Sequence, residues 1–313
     1  MNLVFGLPQP INEQPTVLTI GAFDGVHRGH QQLIGGAVQR ARALGCQSAV
    51  LTFDPHPDRV VRPEQARPVL TSIEERAEQI AALGADLLVV MPFTREVMSL
   101  SAREFMGQVC GALALRELWI GWDFALGRKR EGDHRRLTEI GRELGYAVHI
   151  VERVALDGET VSSTRIRMAL QEGDVATAAR LLGRPFSVRG EVVGGDRRGR
   201  TIGFPTANIA VDPQHTVPGD GIYVCRATLG AAQYDAVTSV GIRPTFGGGP
   251  RTVEAYLLDF SDEIYGETLR LDFLHRLRGE EKFDSVRALV AQITEDVAAA
   301  RAWLARQNTG ATE

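Results

Sequence analysis

GAFDGVHRGH occupies the positions from Gly21 to His30 and directly follows an apolar run at residues 17–20. The run predicts a buried strand, and the residues after His30 predict a helix. A glycine-rich turn between a strand and a helix lets the backbone approach a ligand, and the N–H groups of the helix N-terminus attract anions. His27 and His30 lie three positions apart, so a helical turn points both rings to the same side. The stretch therefore predicts a phosphate-binding loop.

Two other interpretations of this histidine pair stay open. A His-x-x-His pair also binds zinc, which needs further His, Cys or carboxylate ligands, and Asp24 and His56 are the nearby candidates. The pair is equally able to cap a helix without any chemistry.

Composition and charge describe an ordinary globular protein. The 313 residues are 44% hydrophobic and 24% charged, which suits two domains. A net charge of −4 and no basic run longer than residues 128–130 give no electrostatic footprint for nucleic acid. Lys129 and Lys282 are the only lysines and neither precedes Ser or Thr, which excludes a lysine P-loop.

The cysteines and the N-terminal residues bear on location. Cys46, Cys110 and Cys225 are odd in number and far apart, which indicates reduced thiols. The N-terminus lacks the basic start and apolar core of a signal peptide, and no apolar stretch is long enough for a bilayer. We expect a cytoplasmic protein without a membrane partner; homo-oligomerisation stays open.

The first half alternates strand-like and helix-like segments, which predicts an α/β fold with a parallel sheet and helices on both faces. Ligands of such sheets bind beyond the carboxyl ends of the strands. The predicted strands are residues 17–20, 49–53, 87–91, 117–121 and 147–151. The predicted helices are residues 30–44, 72–83, 101–115 and 134–144.

The pattern changes after about residue 184. Short strand-like segments separated by glycine and proline predict a small antiparallel barrel or sandwich, followed by a helix that packs against it. We therefore predict a first domain at 1–184, closed by a helix at 172–182, and a second at 185–313. The predicted strands of the second domain are residues 187–193, 206–211, 221–229, 234–240, 252–260 and 268–273.

Two further segments of the first domain carry polar groups suited to a nucleotide. Asp123 follows a predicted strand, where a carboxylate either orders Mg²⁺-bound water or completes a local turn. Ser163 and Thr164 open a predicted helix and Arg165 follows them, an arrangement that suits a triphosphate but also fits an ordinary helix cap.

The second domain contains the stretch GEVVGGDRRGRTIGFPTANI at residues 190–209. Its glycines make either a backbone-lined nucleotide loop or a flexible turn. Thr206 and Asn208 lie two apart and face the same side of an extended strand, where their oxygens suit a hydrated Mg²⁺ that bridges phosphates. Glu254, on a predicted strand with Tyr256 and Leu258 on its face, is either a catalytic carboxylate or part of a rim salt bridge.

The order of the motifs GxFDGxHxGH, TFxPHP, GxDF and SSTRIR resembles the adenylyltransferase half of bacterial bifunctional riboflavin kinase/FAD synthetases, which are HxGH nucleotidylyltransferases with a Rossmann-like domain. The resemblance implies attack of the FMN phosphate on the α-phosphorus of ATP, which yields FAD and pyrophosphate with Mg²⁺. It also implies that His27 and His30 are catalytic. The nucleotide-binding residues that it implies are Gly21, Phe23, Asp24, Gly25, His27, His30, Asp123, Ser163, Thr164 and Arg165.

The second half resembles the riboflavin kinases, including the segments at residues 218–223, 241–246 and 264–266. This resemblance implies a small antiparallel β-barrel, Glu254 as the base that takes the proton of the ribityl hydroxyl, and Thr206 and Asn208 as the metal ligands. The ATP-binding residues that it implies are Gly194, Gly195, Arg200, Gly203, Thr206 and Asn208. Tyr256, Asp54 and Leu126 depart from the usual residues of the family.

We therefore expect a bifunctional enzyme that converts riboflavin to FMN and FMN to FAD with ATP. One rival is an adenylyltransferase for another acceptor, which the kinase-like half argues against. The other is a flavin-binding regulator without turnover, against which the complete motif sets argue.

Overall fold

The computed structural model describes residues 1–8, 12–195, 198–242 and 251–309. It divides into two compact units, Met1–Ser163 and Thr164–Glu313. Part of the glycine-rich loop (196–197) and most of the kinase-like segment at 241–246 lie outside the described residues. Within the described ranges, no helix combines the length and apolar composition that a membrane crossing requires.

A six-stranded parallel sheet forms the centre of the first unit, in the order β1-β4-β3-β2-β5-β6. The strands are β1 (Asn2–Phe5), β2 (Asn12–Ile20), β3 (Gln47–Asp54), β4 (Leu87–Pro92), β5 (Leu113–Gly121) and β6 (Ala147–Val151). The five predicted strands are confirmed. β1 was not predicted, because four residues at one edge of the sheet show too short a pattern.

Helices cover both faces of this sheet. They are α1 (Arg28–Leu44), α2 (Pro57–Val61), α3 (Ile73–Ala82), α4 (Arg95–Ser99), α5 (Ala102–Ala112) and α6 (His134–Leu144). Neighbouring residues of one strand, such as Val50 and Leu51, are buried in different clusters, as expected for a sheet with a core on each face. The prediction of a helix over 101–115 was wrong at its end, because Leu113 already pairs with β2.

The segment after the sheet contains the hairpin β7 (Ala155–Leu156) and β8 (Glu159–Thr160), then α7 (Ser163–Gln171) and α8 (Val175–Leu182). Gly173 separates the two helices, and Asp174 caps α8 by accepting from the N–H of Thr177. The compact units divide at the start of α7, and α8 packs on strands of the second unit. The boundary at 184/185 stays a prediction.

Six antiparallel strands close into a barrel in the order β10-β13-β12-β11-β14-β9. They are β9 (Phe186–Val193), β10 (Ala207–Ala210), β11 (Gly221–Leu229), β12 (Ala232–Ile242), β13 (Arg251–Leu257) and β14 (Thr268–Arg278), and the short α9 (Arg198–Thr201) precedes β10. Alternate residues of β13 are buried, which leaves Glu254 and Tyr256 on the opposite, half-exposed face.

The last helix, α10 (Val286–Thr309), covers part of the outer barrel surface, as its apolar stripe predicts. Ala300 and Leu304 are buried against Val224 and Val237. The buried carboxylate of Asp296 on α10 also accepts two hydrogen bonds, at 2.8 and 2.7 Å, from the guanidinium of Arg278 on β14.

Candidate active sites

The histidine loop, defined here as residues 21–30, leaves the carboxyl end of β2 and enters α1. Its first N–H, that of Gly21, donates to the carbonyl of Leu51 on β3 at 3.0 Å. Three of its residues have left-handed backbone angles: Phe23 (φ 48°), Gly25 (φ 83°) and Val26 (φ 39°). Such angles are rare for phenylalanine and valine, so the surrounding structure holds this turn in shape.

His27 caps α1, and its Nδ1 accepts from the backbone N–H of His30 at 3.3 Å. The capping role that the sequence left open is therefore present. Because Nδ1 acts as the acceptor, a neutral His27 ring carries its proton on Nε2. The two imidazole rings stack, with their centroids 3.6 Å apart and their planes 18° apart, so both face the same side as expected.

His30 lies in a largely apolar pocket at the first turn of α1. The ring of Phe23 meets it edge-on at 5.3 Å, and its Nδ1 is buried without a hydrogen-bond partner among the described residues. Burial, followed by the electrostatic influence of His27 and then of Arg76, holds the pKa of His30 well below its usual range. His30 is therefore neutral near pH 7.

Asp24 anchors the histidine loop to the segment that precedes α3. Its Oδ1 accepts from the backbone N–H groups of Leu70 at 2.8 Å and Thr71 at 3.2 Å, and its side chain is 1% exposed. The N–H of Gly25 in turn donates to the hydroxyl of Thr71 at 3.0 Å. These contacts give Asp24 a structural task within the loop.

Ser163, the first residue of α7, is hydrogen-bonded to the same loop: its hydroxyl donates to the carbonyl of Asp24 at 2.8 Å. Ser163, the last residue of the first unit, therefore lies next to the histidine loop. Neither α1 nor α7 has an acidic residue in its first turn, so no carboxylate there neutralises the positive end of the helix dipole. Thr164 and Arg165 continue α7, the former exposed and the latter half-buried.

Asp123 is exposed just beyond the carboxyl end of β5, the strand beside β2. The structure places it at the same edge of the sheet as the histidine loop, without a contact that joins the two. The zinc interpretation finds no support in the described ranges, since no group of three His, Cys, Asp or Glu residues there is arranged to hold a metal.

A second polar constellation lies on the outer face of the barrel. Asn208 on β10 is opposite Glu254 on β13, and Glu254 is opposite Ser239 on β12. Directly opposed residues of antiparallel strands have their side chains on the same face, about 5 Å apart. All three are half-buried. Thr206 immediately precedes β10, which begins one residue later than the predicted strand at 206–211.

Two residues of the glycine-rich loop, Gly195 and Gly199, pack directly on this constellation. A Cβ added at Gly195 would lie 2.4 Å from the amide nitrogen of Asn208, and one at Gly199 would lie 2.3 Å from the carbonyl oxygen of Phe204 and 3.4 Å from the hydroxyl of Thr206. Only glycine permits backbone approach this close. Gly195 and Gly199 therefore lie close against Asn208 and Thr206, and these two glycines are called the glycine cover below.

Other predicted kinase residues lie around this cover. A Cβ at Gly194 would meet no atom within 4 Å, and Gly203 has a left-handed φ of 88°. The guanidinium of Arg200 forms an exposed ion pair with Glu263 at 2.8 Å. Tyr256, two positions from Glu254, meets the ring of Phe204 edge-on at 5.4 Å.

Three neighbours of these sites were not predicted from the sequence. Thr71 contacts the histidine loop, and Arg76 contacts the end of β3 beside it, although both are distant from the loop in sequence. Ser239 lies in one row with Glu254 and Asn208, called the polar row below. No local motif marks any of them. Arg76 in particular lies in an acidic helical segment that is typical of a solvated surface.

Comparison with known families assigns one family to each half of the chain. Residues 9–165 match the model described as FAD synthetase, and residues 182–304 match the model described as riboflavin kinase. The first match contains the histidine loop, and the second contains the glycine-rich loop and the polar row.

Relatives and a solved structure match over nearly the full length. Bifunctional riboflavin kinase/FMN adenylyltransferase from Pseudomonas fluorescens is 39% identical over 96% of this chain and 97% of its own. The protein of that name from Bacillus subtilis (strain 168) is 37% identical over 90% of each chain. A crystal structure from Streptococcus pneumoniae, named as a macrolide-efflux protein, has a TM-score of 0.87 at 33% identity and covers 96% of this chain and 98% of that one.

Proposed function

Because the chain belongs to the family of bifunctional riboflavin kinase/FMN adenylyltransferases, we propose that its two reactions take place at the two constellations described above. The enzyme phosphorylates riboflavin with ATP to give FMN, and it adenylylates FMN with ATP to give FAD and pyrophosphate. One observation supports the assignment most: the histidine loop and the polar row lie in different compact units, and each lies within the residues matched by one of the two family models.

We assign adenylyl transfer to the histidine loop. A phosphate oxygen of FMN attacks the α-phosphorus of ATP, and the bond to the β-phosphate oxygen breaks to release pyrophosphate. The Nε2–H of His27 and the first-turn N–H groups of α1 would stabilise the negative charge that develops on the phosphates, which is supported by the position of His27 at the N-cap of α1. Ser163, Thr164 and Arg165 at the start of α7 would bind the triphosphate tail, and Asp123 is a further nucleotide contact.

We assign riboflavin phosphorylation to the polar row and its glycine cover. Glu254 accepts the proton of the terminal ribityl hydroxyl as the oxygen attacks the γ-phosphorus of ATP, and ADP leaves. Backbone N–H groups of the glycine-rich loop are suited to the phosphates. Arg200, which is paired with Glu263 in this structure, would exchange that partner for a phosphate.

Thr206 and Asn208 are the residues that would hold Mg²⁺ in the kinase site. Their hydroxyl and amide oxygens are hard, neutral ligands, and Gly195 packs closely against the side-chain amide of Asn208. This donor set fits Mg²⁺, which prefers oxygen ligands and commonly takes few of them from protein and the rest from phosphates and water. When bound, the ion neutralises phosphate charge.

The assignment is tested by separating the two reactions. The double variant His27→Ala/His30→Ala should still form FMN but little FAD, because each lost transition-state donor typically costs roughly 3–4 kcal/mol. Glu254→Gln should convert supplied FMN to FAD but phosphorylate riboflavin about 10²–10⁴-fold more slowly. Chromatography of the flavin products measures both steps.

His134→Ala and Glu295→Gln, which change the same residue types outside both constellations, serve as controls and should behave as wild type. If both site variants lose the same step, or if neither loses a step, the assignment of one reaction to each constellation is wrong.

A further inference from the structure

Arg76 is a charged residue in a position where charge is unfavourable. It lies on α3, it is only 3% exposed, and it belongs to none of the motifs described in the sequence analysis. A buried guanidinium is tolerated only where hydrogen bonds and opposite charges compensate for lost hydration. Burial is indeed the main cause that lowers the pKa of Arg76, and the nearby carboxylates of Asp24 and Asp54 oppose that effect.

The hydrogen bonds of Arg76 lead into the histidine loop. Its Nη1 donates to the hydroxyl of Thr52 at 3.0 Å and to the carbonyl of Phe53 at 3.2 Å. The hydroxyl of Thr52 then donates to the carbonyl of Ala22 at 3.0 Å. Arg76 therefore connects α3 to the carboxyl end of β3 and, through Thr52, to the second residue of the histidine loop.

Not every polar atom of Arg76 is used in this bracing. Its Nε is buried and has no hydrogen-bond partner among the described residues, and the same is true of His30 Nδ1. An unpaired buried N–H group destabilises a fold. The combination of a buried charge and an unused donor beside the two histidines indicates a function in the site and not only in folding.

We propose that Arg76 is a positioning residue of the adenylyl-transfer site, which braces the histidine loop through Thr52 and places a fixed positive charge near His30. This inference rests on the proposed assignment of adenylyl transfer to that loop. The charge of an arginine persists throughout the neutral pH range, whereas that of a histidine does not.

The groups that face His30 determine the pH dependence of this arrangement. His27 faces it from the same helix and Arg76 from α3, and beyond Arg76 lie Asp24 of the loop and Asp54 of β3. The positive charge of Arg76 disfavours the imidazolium form of His30. If Arg76 loses its charge, His30 takes up a proton more readily, so FAD formation should begin to fall at a higher pH as the solution is acidified.

Three variants of the full-length enzyme test the two parts of the proposal. Arg76→Gln keeps an amide donor but removes the charge, Arg76→Lys keeps the charge but loses the planar fork, and Thr52→Val breaks the link to Ala22. The measurement is kcat/KM for FAD formation from FMN as a function of pH. Riboflavin phosphorylation by the same chain reports an intact second unit, and Arg103→Gln, an exposed arginine on α5, is the matched control.

We expect Arg76→Gln to lower kcat/KM by about ten- to hundred-fold and to move the acidic limb of the profile to higher pH. Arg76→Lys and Thr52→Val should lower kcat/KM by a smaller factor with the limb unmoved. Arg103→Gln should match wild type in both.

If the acidic limb does not move in Arg76→Gln, or if it moves in Arg76→Lys, the charge of Arg76 does not control the pH dependence of the site. If Thr52→Val has the kcat/KM of wild type, Arg76 does not brace the histidine loop through Thr52. Should Arg76→Gln not fold, the limb of Arg76→Lys decides alone. If His30→Ala retains FAD formation, the location of the reaction itself is wrong, a failure distinct from that of Arg76.

Discussion

The two sites hold their chemical groups in different ways. In the first unit the polar groups of the histidine loop and its neighbours are buried, with Asp24, His27 and Arg76 at 1%, 6% and 3% exposure. In the second unit the polar row is half-buried and lies on a barrel face whose geometry the strands determine. The comparison suggests that the first site brings its own positive charge, whereas the second supplies neutral oxygens and one carboxylate.

The largest effect expected from this difference is on stability. Asp24→Ala removes the acceptor of two backbone N–H groups and a counter-charge of buried Arg76, so it should destabilise the first unit by about 3–5 kcal/mol. FAD formation should be lost with it, while FMN formation continues. Urea unfolding followed together with both activities measures this.

Asp296→Ala is the matched change in the second unit, because it breaks the buried pair with Arg278. It should destabilise that unit by a similar amount and leave FAD formation intact. If the first unit of Asp24→Ala unfolds at the same urea concentration as in wild type, the buried contacts of Asp24 do not stabilise the histidine loop, and the contrast between the two sites is wrong.

A smaller effect should come from the glycine cover of the second site. Gly195→Ala forces a methyl group against the side-chain amide of Asn208. Because that amide must shift, riboflavin phosphorylation should fall, and overpacking of this kind should lower the free energy of unfolding by about 1–3 kcal/mol. Gly194→Ala is the control next to it in the chain, since its methyl group meets nothing within 4 Å. Equal activity in the two variants would mean that the loop yields freely and that the second site is not preformed.

The smallest effect concerns a buried carboxylate of the first unit that is outside its active site. A hydrogen bond from Arg40 lowers the pKa of Glu117; burial opposes this shift, and a hydrogen bond from Trp119 adds to it. A carboxylate whose pKa is lower in the folded state stabilises the fold above its unfolded-state pKa and loses that contribution as the pH falls through its folded-state pKa.

Glu117→Gln should therefore be less stable than wild type at neutral pH, with a difference that narrows on acidification. Urea midpoints measured from neutral pH to about pH 3 show the trend, since carboxyl groups titrate in that range. A constant difference at every pH would assign the effect of Glu117 to packing alone. The midpoint of the second unit should be the same in both proteins.

Most helices and strands of this molecule can be predicted from local sequence, whereas strand pairing and contacts between distant residues cannot. The strand-turn-helix at the histidine loop and the short strands of the second half are marked by apolar period and by glycine, so they were predicted closely. The residues alone did not decide between a barrel and a sandwich, because closure depends on pairing between β9 and both β10 and β14.

The supporting residues were harder still. Thr71 is 46 positions from Gly25, to which it is hydrogen-bonded, and Arg76 is surrounded in sequence by glutamates. Nothing in a helical period distinguishes an arginine that turns inward from one that is solvated. Likewise, Ser239 is an ordinary strand residue until β12 is paired with β13.

The row formed by Asn208, Glu254 and Ser239 has a consequence for redesign. Its spacing is a property of main-chain pairing around a closed ring of strands, not of the apolar side chains inside. An engineer could therefore exchange interior residues such as Val253 and Ala255 for others of the same total volume and keep these three polar groups at their original separations.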